Sequence, residues 1–402
     1  MLELSIDAFD NFECIGNLCE DTCCRDWDIV IDQDTYFKYK RVDNPEFKDI
    51  FEKGTTRLKC ANKNNYALMN LNENKECMFL DENKLCSVYK MLGPEKMCYT
   101  CRIYPRVLIN IYDTVEKTLT LSCPEACRKI LFRENPIEFN LREFDNKNNF
   151  NVTKIFAENN KNCFSKEVFF GLQSFAIGLL QNRYYSLEDR LLTLGMFIED
   201  ITNKSDNEIF DIIDSYNLKI QNGVFKGISS YINKEDTLDT EIQYCVNIYL
   251  SVVHNFKQTK IRNIMAKVEE GLQLSKSGEF NDFKENYSSI KNNYANGIFE
   301  KYYYVFENYL VSYIYKHPLM FLTRNLMSNY AEMLLYYNMI RFSMIGAIGS
   351  LKEETQESDL VLIISTVSRG VEHNETTIKS LKSLVEKLNL NKLSNMTALI
   401  IN

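Results

Sequence analysis

Ten cysteines crowd into the first third of the chain in three groups, and thiols at such spacings ligate soft metals. The first group is Cys14, Cys19, Cys23 and Cys24; the second is Cys77 and Cys86 followed by Cys98 and Cys101; the third is Cys123 and Cys127. Close pairs on turns let two sulfurs meet one centre without backbone strain, and distant pairs complete the ligand set as the chain folds. Ten thiols exceed the four ligands of one tetrahedral zinc, so a four-iron cluster, a second centre and spare thiols all stand as readings. Thiolates suit iron–sulfur and zinc alike, so the residues by themselves leave an iron–sulfur cluster and zinc both open. Cys60, Cys163 and Cys245 lie outside the groups and read as small hydrophobes.

The metal reading depends on the compartment. Met1-Leu2-Glu3-Leu4-Ser5-Ile6-Asp7 lacks the basic start and apolar run of a secretory leader. Stretches such as Val168–Leu180 fall short of the roughly 20 apolar residues of a membrane span. A cytoplasmic protein without membrane insertion is therefore expected, in surroundings that keep thiols from pairing as structural disulfides. The net charge of −8 argues against nucleic acid as a partner and suits a lysine-rich one.

Three further constellations could do chemistry. Arg369, Glu372 and His373 recur at helical spacing, so the arginine could hold a carboxylate while the glutamate or histidine accepts a proton. The plainer reading is a helix end with an ion pair. Arg102 and Arg106, beside Cys101, could hold an anionic group of a cofactor or balance thiolate charge. Tyr303, within Tyr302–Tyr304 and near Tyr309, Tyr313 and Tyr315, could meet a cation with its ring, although a helical aromatic stripe is more often core. Of the three histidines, His254 reads as a core residue and His317, before Pro318, as a helix cap.

The elements that must position these groups divide near residue 135. Residues 1–135 show short strands at Trp27–Ile31, Tyr66–Leu71 and Met78–Leu80, and a helix capped by Asp34. They also show a hairpin of Arg106–Tyr112 with Lys117–Ser122, and a helix from Pro124 to Leu131. Residues 136–402 are helical in pattern, with Asn146–Asn151 as the boundary candidate and Ser186 with Asp189 as a capping signature. The expected fold is mainly α: a small cysteine-rich α+β metal-binding domain followed by a larger all-helical domain.

The run Cys77-x-Phe79-Leu80-x5-Cys86-x-Val88-Tyr89, ending in Cys101-Arg102-x-Tyr104-Pro105 and preceded by Cys23-Cys24, resembles the zinc- or iron-chelating cysteine-cluster domain. Phe12-x-Cys14-Ile15-x3-Cys19-x3-Cys23-Cys24-x2-Trp27, Cys98-x2-Cys101-x3-Pro105-Arg106 and Cys123-x-Glu125-Ala126-Cys127 are similar to segments of the flagellin lysine-N-methylases of flagellated bacteria. So is Asp359-Leu360-Val361-x-Ile363-Ile364-x3-Ser368-Arg369-x2-Glu372-His373. The resemblance implies methyl transfer from S-adenosylmethionine to lysine side chains of flagellin, with a 4Fe–4S cluster as cofactor. On it, Arg369, Glu372 and His373 become candidate catalytic residues, and Arg102, Arg106 and Tyr303 candidate donor-binding residues. Two departures matter. The chain lacks a glycine-rich strand-to-helix turn of the Rossmann kind. It also lacks the C-x3-C-x2-C of radical S-adenosylmethionine enzymes, since Cys24 follows Cys23 directly and Ile130 stands where Cys123-x3-Cys127 would need its third cysteine. A non-enzymatic metal-binding interaction module, and a methylase with a different protein substrate, are the rival readings.

Overall fold

Short alternating segments in the first 155 residues build two small sheets, and helices fill the rest of the chain. The computed structural model describes residues 1–145, 150–155, 160–256, 258–275, 280–372 and 374–401. In chain order the first part runs β1 (Leu2–Ile6), α1 (Asp7–Asp10), β2 (Val30–Ile31), α2 (Gln33–Lys40), α3 (Pro45–Gly54), β3 (Thr55–Arg57) and β4 (Ala67–Met69). It continues with α4 (Ser87–Leu92), α5 (Tyr99–Ile103), β5 (Arg106–Ile111), β6 (Thr114–Leu119), α6 (Pro124–Leu131), β7 (Phe139–Glu143) and β8 (Thr153–Ile155).

One sheet has the order β7-β1-β6-β5-β8 and the other β2-β4-β3. The expected hairpin is β5 with β6, paired from Arg106↔Leu119 to Ile111↔Thr114. Tyr112 turns it with φ +55°, a conformation few non-glycine residues adopt. β1 pairs in parallel with β6 and antiparallel with β7, so strands on both sides of residue 135 share one sheet. The α2 cap is Asp32, which accepts from the Thr35 amide, rather than Asp34. Met78–Leu80 forms turns, not a strand, because Phe79 turns inward as an anchor of a small core with Tyr39 and Phe47.

The helices follow as α7 (Lys166–Leu180), α8 (Leu187–Ile201), α9 (Asp206–Gln221), α10 (Lys234–Val253), α11 (Thr259–Leu272), α12 (Phe280–Ile290) and α13 (Asn296–Lys301). After them come α14 (Tyr304–Lys316), α15 (Leu319–Leu322), α16 (Leu326–Leu351), α17 (Glu357–Glu372), α18 (Glu375–Lys387) and α19 (Leu393–Ile400). α16 is the axis: it is buried almost throughout from Leu326 to Ile348 and packs against α10, α11, α17 and α18. Its crossing with α11 is so close that a Cβ at Gly271 would stand 1.9 Å from the Gly346 carbonyl oxygen, so both glycines are needed for the helices to pack. His254 does not join this core; it is exposed at the end of α10, where the last turn rotates it outward. No described helix is long and apolar enough to cross a membrane.

A continuous core joins the large sheet and α6 to the helices, while Ile29, Ile31, Tyr39, Phe47 and Phe79 centre a separate small core. Where sheet meets helices, Glu116 of β6 is 1% exposed, with Gln173 of α7 and Tyr315 of α14 nearby. Burial pushes its carboxyl up to about 8, Gln173 offsetting part of the effect. A carboxyl raised from 4.5 contributes stability that is complete below that value and lost as pH rises through about 8. Glu116→Gln keeps the shape without the titration. Its melting temperature relative to the native chain should therefore climb by a few degrees between about pH 5 and about pH 9. A difference that stays flat across that range would contradict the assignment.

Candidate functional site

The cysteines gather where the two cores meet. Cys24, Cys77, Cys86, Cys98 and Cys101 pack into the small core, whereas Cys123 and Cys127 belong to the large one. Cys14, Cys19 and Cys23 lie on the loop between α1 and β2. The charges of these thiols act on one another in the same two lobes. Cys24 and Cys98 each raise Cys77 and Cys86, Cys14 raises Cys19, Cys23 and Cys123, and Cys23 reaches across to Cys101. Cys60 is exposed on a loop, Cys163 is half-buried and Cys245 is buried between α10 and α16.

Helix starts place several of the sulfurs. Cys86, Cys98 and Cys123 are the N-cap residues of α4, α5 and α6, and Pro124 occupies the first turn of α6. None caps its helix with an ordinary side-chain hydrogen bond, yet the amides of the first turn favour each thiolate: Val88 and Tyr89 for Cys86, Thr100 and Cys101 for Cys98, Glu125 and Ala126 for Cys123. Burial outweighs this for most of them. It pushes Cys77 and Cys123 up to about 12 and Cys86 up to about 11, and it raises Cys127 well above the usual thiol value. Two contact pairs differ. Cys23 donates to Cys24 and draws it down to about 7, and Cys101 donates to Cys98 and lowers it.

This donor set fits a thiolate-held centre: soft, withdrawn from solvent except at Cys14, supported by amides at three helix starts and already paired at two places. Among the described residues no three His, Cys, Asp or Glu side chains yet converge as a metal site. Binding a centre would require the sulfurs to shed their protons and close in.

The loop that carries the first four cysteines is clamped to the helices by its acids. Asp21, 4% exposed, takes Lys260 of α11 through one oxygen and Arg369 of α17 through the other, the latter at 2.6 Å. Glu20 pairs with Arg128 of α6, which also meets Glu125 at 2.7 Å. Arg369 donates a second bond to the Ser122 carbonyl, 3.0 Å away and next to Cys123.

The other predicted residues fall into separate places. Arg369 and Glu372 do lie together on α17, both turned inward, Arg369 toward Asp21 of the cysteine loop and the Ser122 carbonyl, Glu372 toward Thr120 and α14. Glu372 pairs with Lys316 of α14 at 2.5 Å and accepts from Thr120. Burial raises its carboxyl, but Lys316 and Thr120 outweigh burial and hold it below the usual carboxylate range. His373 lies outside the described residues. Arg106 rests over Phe12, donates to the Phe12 carbonyl at 3.3 Å and feels the charge of Cys14, while Arg102 lies near the ring of Phe150. Tyr303 is elsewhere. It is 44% exposed at a cavity between α8, α10, α13, α14 and α16, and no cysteine lines that cavity. Tyr309, Tyr313 and Tyr315 are buried core residues. His317 ends α14 stacked on Tyr313 with centroids 4.3 Å apart, and burial, with Lys316 beside it, holds it down at about 4, hence neutral.

The family model of the FliB lysine N-methylase C-terminal domain matches residues 173–399, more than half of the chain. The chain belongs to the FliB lysine N-methylase family. Within it, the chain is 32% identical over 121 residues to the flagellar biosynthetic protein FliU of Salmonella muenchen, an alignment covering 30% of this chain and 72% of that protein. It is also 32% identical over 121 residues to the lysine-N-methylase of Salmonella choleraesuis, and over 120 residues to that of Salmonella typhimurium, each alignment spanning 30% of both chains. No solved structure matches the chain.

The clamp acids Glu20 and Asp21 were missed in the sequence, although an acidic pair inside a cysteine loop is an available signal. Asp21→Asn leaves the half-buried Lys260 and Arg369 without their counter-charge. It should cost about 3–5 kcal/mol and lower the metal retained after desalting. An unchanged denaturation midpoint and metal content would show that the clamp does not hold the loop.

Proposed function

We propose that this chain is a protein-lysine N-methyltransferase that moves a methyl group from S-adenosylmethionine to lysine side chains of flagellin. We further propose that its cysteines hold an iron–sulfur cluster. The observation that carries the reading is the match to the lysine N-methylase domain over the helical body, joined to the buried thiols that body clamps in place. The Salmonella relative named for flagellar biosynthesis supports a flagellar substrate.

In the reaction the lysine lone pair attacks the methyl carbon and the carbon–sulfur bond breaks. S-adenosylhomocysteine leaves, and the amine gives up a proton to water or a base. Free lysine is protonated up to about pH 10.4, so the site must favour the neutral amine. The contact pairs Cys23–Cys24 and Cys98–Cys101, with Cys77, Cys86 and Cys123 around them, are the residues that would hold the cluster. Such a cluster, when bound, supplies a redox-active Lewis acid. Arg106 lies where it can balance the charge of Cys14. Arg369 and Glu372 are already engaged, so in this reading Arg369 positions the cysteine loop and the approach to α6, while Glu372 ties α17 to α14 and Thr120; a carboxylate held low by Lys316 is a weak base.

The test incubates oxygen-free preparations with flagellin and methyl-labelled donor, then maps label by mass spectrometry. Label on lysine side chains of flagellin is expected. Metal-loaded, folded protein that binds flagellin yet transfers no label would overturn the enzymatic reading. Label on another protein in preference to flagellin would overturn the substrate.

A further inference from the structure

Among the described residues, Tyr39, Tyr249, Tyr287, Tyr315 and Tyr330 are each at most 1% exposed. Four of these tyrosines find an acceptor for the hydroxyl proton. Tyr249 donates to the Met265 carbonyl, Tyr287 to Glu241, Tyr315 to the Leu4 carbonyl and Tyr330 to the Leu191 carbonyl. The Tyr39 hydroxyl is just as withdrawn from water and has no hydrogen-bond partner. A buried donor left unmade is costly, and native folds retain one chiefly where a redox role or a bound ion accounts for it.

Helix α2 places this group. Asp32 caps the helix, and Thr35 and Tyr39, one turn apart, are its buried residues. Phe47 at 5.6 Å and Phe51 at 6.3 Å meet the Tyr39 ring edge-on, and Phe79 lies 6.3 Å away. A ring packed among three phenylalanines cannot swing its hydroxyl out to solvent. Tyr39 shares the small core with Cys77, Cys86, Cys98 and Cys101. Burial, then the charges of Cys98, Cys101 and Cys86, push the hydroxyl up, so it keeps its proton. The Cys98 amide leans toward its oxygen without closing a hydrogen bond. What the hydroxyl lacks is an acceptor, and the polar atoms of the thiol lobe beside it are sulfurs. A protonated thiol accepts weakly, whereas a thiolate accepts strongly. Beside the other lobe, Tyr104 feels Cys123 and Cys23, but its hydroxyl already meets Ser122 at 3.2 Å.

We infer that the Tyr39 hydroxyl donates a hydrogen bond to a sulfur of the metal centre held by Cys86, Cys98 and Cys101, and so sets how firmly the centre is held and, with iron, its reduction potential. Tyr39 is a positioning residue: it acts through the thiolate. The inference rests on the metal-centre reading above. A donor draws electron density from the sulfur, which favours the more negative, reduced state of a cluster.

The test compares the full chain, prepared without oxygen, with Tyr39→Phe, which keeps the ring and removes only the hydroxyl. In iron-loaded protein, an exchangeable proton coupled to the reduced centre is expected by pulsed electron–nuclear resonance in deuterated buffer, and is absent from Tyr39→Phe. The midpoint potential of the variant should be lower by about 59 mV, a tenfold change for a one-electron couple. Its metal affinity, in competition with a chelator, should fall about 10-fold or more. An iron-loaded variant with the same proton coupling, potential and affinity would overturn the inference and leave the cluster reading standing. Zinc in place of iron would overturn the cluster reading by itself. Cobalt substituted for that zinc then decides on the hydroxyl: a sulfur-to-cobalt absorption band at longer wavelength in Tyr39→Phe supports the hydrogen bond, and an unmoved band overturns it. Folded protein that holds no metal would overturn both.

Discussion

Asp21 sits between Cys19 and Cys23 and receives two cations at once, Lys260 from α11 and Arg369 from α17. Beside it Glu20 takes Arg128 of α6, the helix that carries Cys127 and begins at Cys123. These pairs press a loop with little regular structure of its own against the helical body. Burial strengthens each of them, and removing one partner would leave a desolvated charge, so the arrangement is steep on both sides. The relative placement of the two thiol lobes follows from that clamp. One lobe grows from the small core around Phe79, the other from the large core through α6, and Cys23 and Cys24 bridge them.

Burial also sets the chemistry of the thiols. Without metal most of them keep their protons, because a thiolate in apolar surroundings is expensive. A metal centre replaces those protons with positive charge, and the amides at the starts of α4, α5 and α6 are already aimed to favour the resulting thiolates. Loading of such a centre would therefore be linked to folding in this region, and the small core would be the part most dependent on it. The helical body is different. Its axis, α16, is locked by the close approach at Gly271 and Gly346 and by apolar packing, none of which involves the thiols.

Much of this was legible locally and little of it at long range. α6 and α8 begin where Pro124 and Ser186 place them and end at Leu131 and Ile201, because capping chemistry is a short-range signal. The hairpin was readable in β5, whereas β6 starts at Thr114, three residues before the expected Lys117, because Tyr112 and Asp113 close a tight turn. β1 was not, since Leu2–Ile6 finds its partners more than a hundred residues away in β6 and β7. Nor was β7, a polar edge strand whose Leu141 faces solvent. The cysteine groups were visible as groups, but their division between two cores depends on tertiary packing. Arg369 and Glu372 were found by spacing. Their partners Asp21 and Lys316 were not, because 348 residues separate Arg369 from Asp21. The cavity at Tyr303 draws on side chains from Arg183 to Arg341, and among them Tyr303 and the helix cap Ser186 stood out in sequence.

The clamp, the split thiol lobes and the family membership meet in one proposal: that the cysteine region would hold a thiolate-ligated metal centre on the helical body of a lysine N-methylase family member. Metal-edge X-ray absorption on protein prepared without oxygen tests it most directly. The account predicts bound iron in a shell of sulfur ligands with iron neighbours at cluster distances, diminished when Cys24 and Cys98 are both changed to serine. A tightly bound zinc in four sulfurs would keep the centre and change the metal. A metal surrounded only by nitrogen and oxygen, or no bound metal in folded protein, would contradict the claim.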